Sequence, residues 1–214
     1  MSSCAHSSWC GSRAGRSFTS LRRVTDDTTF ARLVSLACHD VRTPLATVHG
    51  FAKTLERTLE LEPPADRYVE MIGAASAQMA ELLDELSLVA RIEAGRYDPA
   101  LRAADTLQLA RGAQERLEGV QVSGEGATID TDVDAVDRGV SALVQCTLRH
   151  GGLDDVYVVV RGTEIDVSPV TPASAPVVLG KDLRDLGAAV AVRVIERLGG
   201  SVSLEEETLT IRLA

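Results

Sequence analysis

The residues best suited to chemistry lie together in one short segment, residues 38–45, which reads Cys-His-Asp-Val-Arg-Thr-Pro-Leu. His39 is followed directly by Asp40, and Arg42 and Thr43 come within the next helical turn. A neutral imidazole attacks phosphorus through one ring nitrogen while a neighbouring carboxylate holds the proton on the other. The segment therefore predicts a nucleophilic histidine that accepts a phosphoryl group.

The apolar pattern around this segment predicts a long amphipathic helix with His39 facing solvent. The apolar residues recur with heptad spacing, as in a helical bundle, and are Phe30, Val34, Ala37, Val41, Leu45, Val48, Ala52 and Leu55. At roughly 100° per residue, His39 lies about half a turn away from Ala37 and Val41. A histidine used for packing would lie on the stripe, so a purely structural role is disfavoured. Pro44 cannot donate to the carbonyl of Asp40, and we expect the helix to be loosened there.

A second apolar stripe predicts a partner helix after a short connection. Pro63, Pro64 and their polar neighbours mark that connection within residues 61–66. The second stripe consists of Met71, Ile72, Met79, Leu82, Leu83, Leu86, Val89 and Ile92. A single hairpin cannot bury both stripes, so we expect two chains to form a homodimeric, antiparallel four-helix bundle.

Residues 39–45 resemble the H-box of sensor histidine kinases without a gap. The second helix ends in Ala-Arg-Ile-Glu-Ala-Gly at residues 90–95, which is similar to the close of that family's second helix. The resemblance implies that residues 25–96 are a dimerisation and histidine phosphoacceptor domain. Residues 1–24, rich in Ser, Gly and Arg, are interpreted as a disordered tail.

The resemblance also implies a role for each site residue. His39 would carry the phosphoryl group, and Asp40 would hold the imidazole in the reactive tautomer. Arg42 would neutralise phosphate charge, and Thr43 would position a water for dephosphorylation of the partner. The implied partner is a response-regulator receiver domain, which would itself bring the Mg²⁺.

Residues 97–214 predict an α/β sandwich that resembles the ATPase domain of the same family. The predicted helices cover residues 107–117, 135–150 and 186–198, and the predicted strands cover residues 120–122, 127–129, 156–160, 164–167, 201–204 and 208–213. The overall fold class is therefore α+β, with a helical hairpin before the sandwich.

The nucleotide-binding residues of that family do not survive in this sequence. Ala142 and Cys146 stand where the family carries asparagines, and neither side chain suits a hard cation. Residues 167–173 retain no Asp and no Gly from the D-x-G-x-G box, and residues 185–187 read Asp-Leu-Gly in place of G-x-G. The domain is thus interpreted as a degenerate ATPase-like domain, and we expect no bound cofactor and no metal in this chain.

The preferred function is a histidine phosphotransferase in a two-component phosphorelay, with His39 exchanging phosphoryl groups with response-regulator aspartates. One alternative is an active histidine kinase that phosphorylates His39 from ATP. Another is a non-catalytic pseudokinase scaffold. Retention of the H-box disfavours the scaffold, and loss of the nucleotide boxes disfavours the kinase.

Composition agrees with a signalling protein that does not bind nucleic acid. The net charge is −9 and no basic patch stands out. The four cysteines show no metal or disulfide spacing, which is typical of a reducing cytoplasm. No apolar run approaches the ~20 residues of a membrane span. We therefore expect a cytoplasmic protein.

Overall fold

The chain folds into a helical hairpin followed by an α/β domain. The computed structural model describes the backbone of residues 18–58 and 60–214, and the side chains of residues 29–58 and 60–214. The hairpin consists of α1 (Phe18–Thr58) and α2 (Ala65–Glu93). The predicted tail falls mostly outside the described residues, and α1 begins before the predicted domain boundary at residue 25. Within the described ranges, no helix has the length and apolar character needed to cross a membrane.

The α/β domain contains seven strands and four further helices. In chain order these are β1 (Leu101–Asp105), α3 (Thr106–Arg116), β2 (Val120–Gly126), β3 (Thr128–Asp132), α4 (Val133–Gly151), β4 (Val156–Gly162), β5 (Glu164–Ser168), α5 (Ala175–Val178), α6 (Leu186–Arg197), β6 (Ser201–Glu205) and β7 (Thr208–Arg212). The sequence pattern missed β1 and α5. Strand β1 is almost entirely exposed and shows no apolar alternation, and α5 is only a single turn.

The main sheet has five strands in the order β2-β4-β5-β7-β6. Strands β2 and β4 are parallel, with Val120 opposite Val156, and the remaining neighbours are antiparallel. Strands β1 and β3 form a separate antiparallel pair.

The core lies between one face of the main sheet and helices α3, α4 and α6. Along β4, Val156, Val158 and Val160 are buried while Tyr157 is half exposed on the other face. This alternation is the mark of a sheet with one covered face. The predicted α+β class, with a hairpin before a sandwich, is confirmed.

Helix α1 carries two neighbouring apolar strips rather than the one predicted. The residues buried against α2 are Ala31, Cys38, Leu45 and Ala52, which recur every seven positions. Val41 and Val48 of the predicted stripe remain exposed in the single chain, at 49% and 46%. The strips are separated by only roughly 40–60° around the helix, so periodicity alone merged them.

The α/β domain packs on the C-terminal half of α2. Leu88, Val89 and Ile92 pack against a small cluster that contains Val190 and Val194 of α6. Arg193 Nε also donates to Glu93 Oε1 at 2.9 Å across the same boundary. Helix α2 is therefore shared between the hairpin and the α/β domain.

Candidate functional site

His39 lies on the exposed face of α1, and 77% of its side chain is accessible. Its Nδ1 is 3.2 Å from Oδ1 of Asp40, whose side chain is also exposed. When Nδ1 carries the proton it donates to this carboxylate, and the lone pair of Nε2 then points away from the pair. The arrangement suits nucleophilic attack by Nε2 on an electrophile that arrives from solvent.

Arg42 links the turn that carries His39 to the second helix of the hairpin. Its guanidinium donates to Oδ1 of Asp84 at 2.7 Å, and both side chains are about half exposed. Thr43 is exposed and its carbonyl accepts from the hydroxyl of Thr47 at 3.1 Å. Of the four predicted site residues, His39 and Asp40 are paired in the structure, whereas Arg42 is engaged with α2.

The helix continues through Pro44, which lies inside α1. Proline has no amide hydrogen, so the carbonyl of Asp40 has no i+4 donor from the backbone. Leu45, the next residue, is buried against α2 and holds this part of α1 in place. The expected loosening is thus a single missing hydrogen bond rather than a break in the helix.

A second concave region lies between α2 and the α/β domain. It is a cavity of about 430 Å³, and its lining residues are Gln78, Glu81, Leu82 and Glu85 of α2, Ala142, Gln145 and Arg149 of α4, and Arg184, Asp185, Leu186 and Gly187 before and within α6. Asp84, the partner of Arg42, lies between Glu81 and Glu85 in sequence. The cavity therefore opens beside the same turns of α2 that pair with the His39 segment.

Asp185 dominates the charge at the start of α6. Its Oδ1 accepts from the backbone amide of Ala188 at 3.0 Å, which is the N-cap interaction of this helix. Its Oδ2 is 3.2 Å from Nε2 of His150 and 3.5 Å from Arg149. The helix N-terminus that favours phosphate in related folds is therefore capped by a carboxylate here.

Of the residues that stand in place of the family's nucleotide-binding boxes, only some lie close together in the structure. Ala142 and Gly187 approach so closely that a Cβ built at Gly187 would be 3.2 Å from the Cβ of Ala142. Residues 167–173, which stand in place of the D-x-G-x-G box, do not line this cavity. Thr171 lies beside Gly151 at the C-terminal end of α4. The helices α4 and α6 thus meet where the sequence predicted lost metal and phosphate ligands.

Sequence reasoning treated Cys146 only as a missing asparagine and did not connect it with His150. The two residues are one helical turn apart on α4, a spacing that places both on one face. Cys146 is fully buried, and burial, together with the charge of Asp185, raises the pKa of its thiol to about 12. The i,i+4 cysteine–histidine pair was the signal available in the sequence, but Asp185 is distant in the chain.

Comparison with known proteins identifies the hairpin. Residues 31–95 match the His Kinase A (phospho-acceptor) domain. The hairpin therefore matches the phospho-acceptor domain of histidine kinases. The predicted relationship to sensor histidine kinases is confirmed, and His39 lies within the matched residues of this domain.

The chain is also similar to curated members of the sensor kinase family. It is 29% identical over 114 residues to the sensor protein DivL of Caulobacter vibrioides, covering 52% of this chain and 15% of DivL. It is 26% identical over 196 residues to the histidine protein kinase DivJ of the same organism, covering 80% of this chain and 30% of DivJ. The chain thus spans less than a third of the length of these relatives.

Solved structures show the same fold beyond the phospho-acceptor domain. Full-length ShkA in complex with AMPPNP superposes with a TM-score of 0.62 and 19% identity, over 84% of this chain and 44% of ShkA. The histidine kinase AdeS of Acinetobacter baumannii gives a TM-score of 0.53 and 14% identity, over 82% of this chain and 97% of AdeS. The α/β domain therefore has the fold that accompanies the phospho-acceptor domain in histidine kinases.

Glu85, in the cavity wall, should make the stability of the folded protein depend on pH. Burial raises the pKa of this carboxyl, Asp185 and Glu81 raise it further, and Arg138 partly offsets them. Between the ordinary glutamate pKa and this raised value the folded state binds more protons than the unfolded state, so stability falls as pH rises through that window. Glu85→Gln removes the penalty, and we expect it to stabilise the protein at neutral pH and to lose this advantage below the ordinary glutamate pKa.

Urea denaturation of both proteins between acid and neutral pH measures this effect. Glu70→Gln makes the same chemical change at an exposed position of α2 and serves as the control. A constant stability difference at all pH values would show that the Glu85 substitution acts through packing rather than charge.

Proposed function

We propose that this chain is a histidine phosphotransferase of a two-component phosphorelay, in which His39 exchanges phosphoryl groups with aspartates of response regulators. The observation that carries the proposal is the exposed His39–Asp40 pair on a phospho-acceptor hairpin. An accessible nucleophile with a carboxylate on its other ring nitrogen is what transfer between two proteins requires.

The proposed transfer uses His39 and Asp40 of this chain and the aspartyl phosphate of the response regulator. The lone pair of His39 Nε2 forms the P–N bond while the P–O bond of a regulator's aspartyl phosphate breaks, releasing that aspartate as a carboxylate. The proton on Nδ1 stays in place, and Asp40 stabilises the positive charge that develops on the imidazole ring. Any Mg²⁺ is expected on the receiver domain, and the reverse step returns the phosphoryl group to an aspartate.

Several contacts in the cavity disfavour ATP as the donor. The carboxylate of Asp185 already caps α6, and Glu81 and Glu85 add negative charge to the opposite wall. The nearby cations are partly neutralised, since Arg149 lies 3.5 Å from Asp185 and Arg184 pairs with Asp182 at 2.8 Å. A triphosphate entering this cavity would have to displace these pairs at a cost in free energy.

A homodimer is part of the proposal because the second apolar strip has no cover in one chain. On α2 the strip includes Ile72, Met79 and Leu86, which recur every seven residues and are 48%, 47% and 37% exposed. On α1 it includes Val41 and Val48. A second copy of the same hairpin places these strips against each other in a four-helix bundle.

The proposed setting is the cytoplasm. Cys38 and Cys146 are free and buried in the structure, as is usual for proteins of a reducing compartment. The receiver domain would dock on the bundle around His39, where both helices expose polar side chains.

The donor experiment separates the three functional interpretations. The purified protein is incubated either with labelled ATP and Mg²⁺, or with receiver domains of the same genome that have been phosphorylated by labelled acetyl phosphate. We expect label to reach the chain only from a receiver domain, to be lost in His39→Gln, and to persist in His49→Gln. Label from ATP would establish the kinase alternative, and no label from any donor would establish the scaffold.

Asp40→Asn tests the role of the carboxylate beside the nucleophile. The amide keeps a hydrogen-bond acceptor but no charge for the developing imidazolium, so we expect the fold to persist and transfer from the receiver to slow by ~10²-fold or more. Rapid-quench kinetics measures the rate, and Asp66→Asn, at the exposed start of α2, is the matched control. Equal rates in the two variants would refute a catalytic role for Asp40.

Met79→Asp tests the dimer. The substitution places a charge in both copies of a symmetric apolar contact, which costs at least ~3 kcal/mol, or roughly 100-fold in the dissociation constant. Light scattering should report two chains for the native protein and a shift toward one chain for the variant. Ala74→Asp, an exposed position of α2 outside the strip, should remain dimeric. A native monomer would overturn the proposed bundle.

A further inference from the structure

Three side chains of different chemistry meet between α4 and α6. They are Cys146 and His150 of α4 and Asp185 at the start of α6, and one ligand atom of each lies within 4.8 Å of the others. Cys146 is fully buried, Asp185 is 9% exposed, and the His150 side chain is 19% exposed. Carboxylates and imidazoles at this degree of burial are normally paired with other polar groups or bound to a metal ion.

The geometry of the three side chains accommodates a shared metal ion. Nε2 of His150 is 3.2 Å from Oδ2 of Asp185. Two ligands bound at about 2.0–2.1 Å to a tetrahedral ion are about 3.3 Å apart, so the pair already has the separation of one tetrahedral edge. The three ligand atoms lie within 4.8 Å of one another, and a tetrahedral edge to sulfur is about 3.6 Å, so the sulfur must move by at most about 1.2 Å to complete a third vertex.

The remaining contacts of these residues leave the ligand atoms available. Asp185 uses Oδ1 for the helix cap and presents Oδ2 to His150, so a single carboxylate can serve both functions. Among the described side chains, only Arg149, at 3.5 Å, competes with His150 for Oδ2. A divalent ion bound by one thiolate and one carboxylate is also neutral overall, which removes the cost of an uncompensated buried charge.

We propose that Cys146, His150 and Asp185 form a binding site for Zn²⁺. Sulfur and nitrogen donors select a borderline-soft transition metal rather than Mg²⁺, which prefers oxygen. Three protein ligands would leave a fourth position for water or a small anion, and one of the three, Asp185, also borders the cavity. The site goes beyond the proposed phosphoryl transfer, because His39 is not part of it, and it departs from the expectation that the chain holds no metal.

Cobalt titration of the full chain tests the site directly. The protein carries Cys4→Ser and Cys10→Ser so that the N-terminal cysteines cannot contribute, and it is stripped with EDTA before use. We expect one Co²⁺ per chain, with the intense visible bands of a tetrahedral ion and a thiolate charge-transfer band in the ultraviolet. Equimolar Zn²⁺ should abolish both bands, and a large excess of Mg²⁺ should not.

Single substitutions assign the ligands. We expect Cys146→Ser and His150→Gln each to weaken Zn²⁺ binding by at least ~100-fold, because even the loss of an outer-shell partner costs up to that much. Cys146→Ser should also remove the charge-transfer band. Cys38→Ser and His39→Gln should bind as the parent does. Far-UV circular dichroism checks that each variant is folded. If Cys146→Ser unfolds the domain, His150→Gln still tests the site. Absence of cobalt bands in the parent, or bands that persist in His150→Gln, would overturn the site.

Discussion

The packing of helix α2 against both α1 and α6 constrains the rest of the structure. One side of α2 packs on α1 through small residues that include Gly73, Ser76 and Ala90, which allow close approach. Another side packs on α6 through Leu88, Val89 and Ile92. Because both contacts are on one continuous helix, the position of His39 and the position of the cavity are fixed relative to each other. The exposed apolar strip of α2, which includes Ile72, Met79 and Leu86, is the apolar surface left over after these two contacts are made.

Side chains of the α/β domain bind one another at positions where the family resemblance predicts phosphate-binding groups. In the α/β domain a carboxylate caps the helix N-terminus that would otherwise attract an anion. An alanine and a glycine bring α4 and α6 into near contact where larger polar groups would hold them apart. The sheet and helices persist because their core of Val, Leu and Ile is independent of these positions. The scaffold therefore does not depend on which polar groups these positions carry.

The sequence predicted most of the scaffold because its signals are local. The H-box, the two helices, and the strands with clear alternation, such as β4, follow from residues adjacent in the chain. The two strips of α1 could not be separated, since a period of 3.6 leaves Leu45 and Val48 only about 60° apart and their partners decide which is buried. Likewise, the pairing of Arg42 with Asp84 and of His150 with Asp185 depends on how helices pack, which no local pattern records.

The proline within α1 has a mechanical consequence for His39, which lies in the preceding turns of the helix. The missing amide of Pro44 leaves the turn containing Asp40 with one backbone hydrogen bond fewer than its neighbours. Leu45 anchors the helix just beyond it, so bending is concentrated in a few residues rather than spread along the rod. The imidazole of His39 therefore lies in a part of α1 that bends more easily than the helix on either side. In the proposed transfer, small adjustments of the ring toward the incoming phosphorus atom would cost little, while the surrounding helix surface would keep its shape.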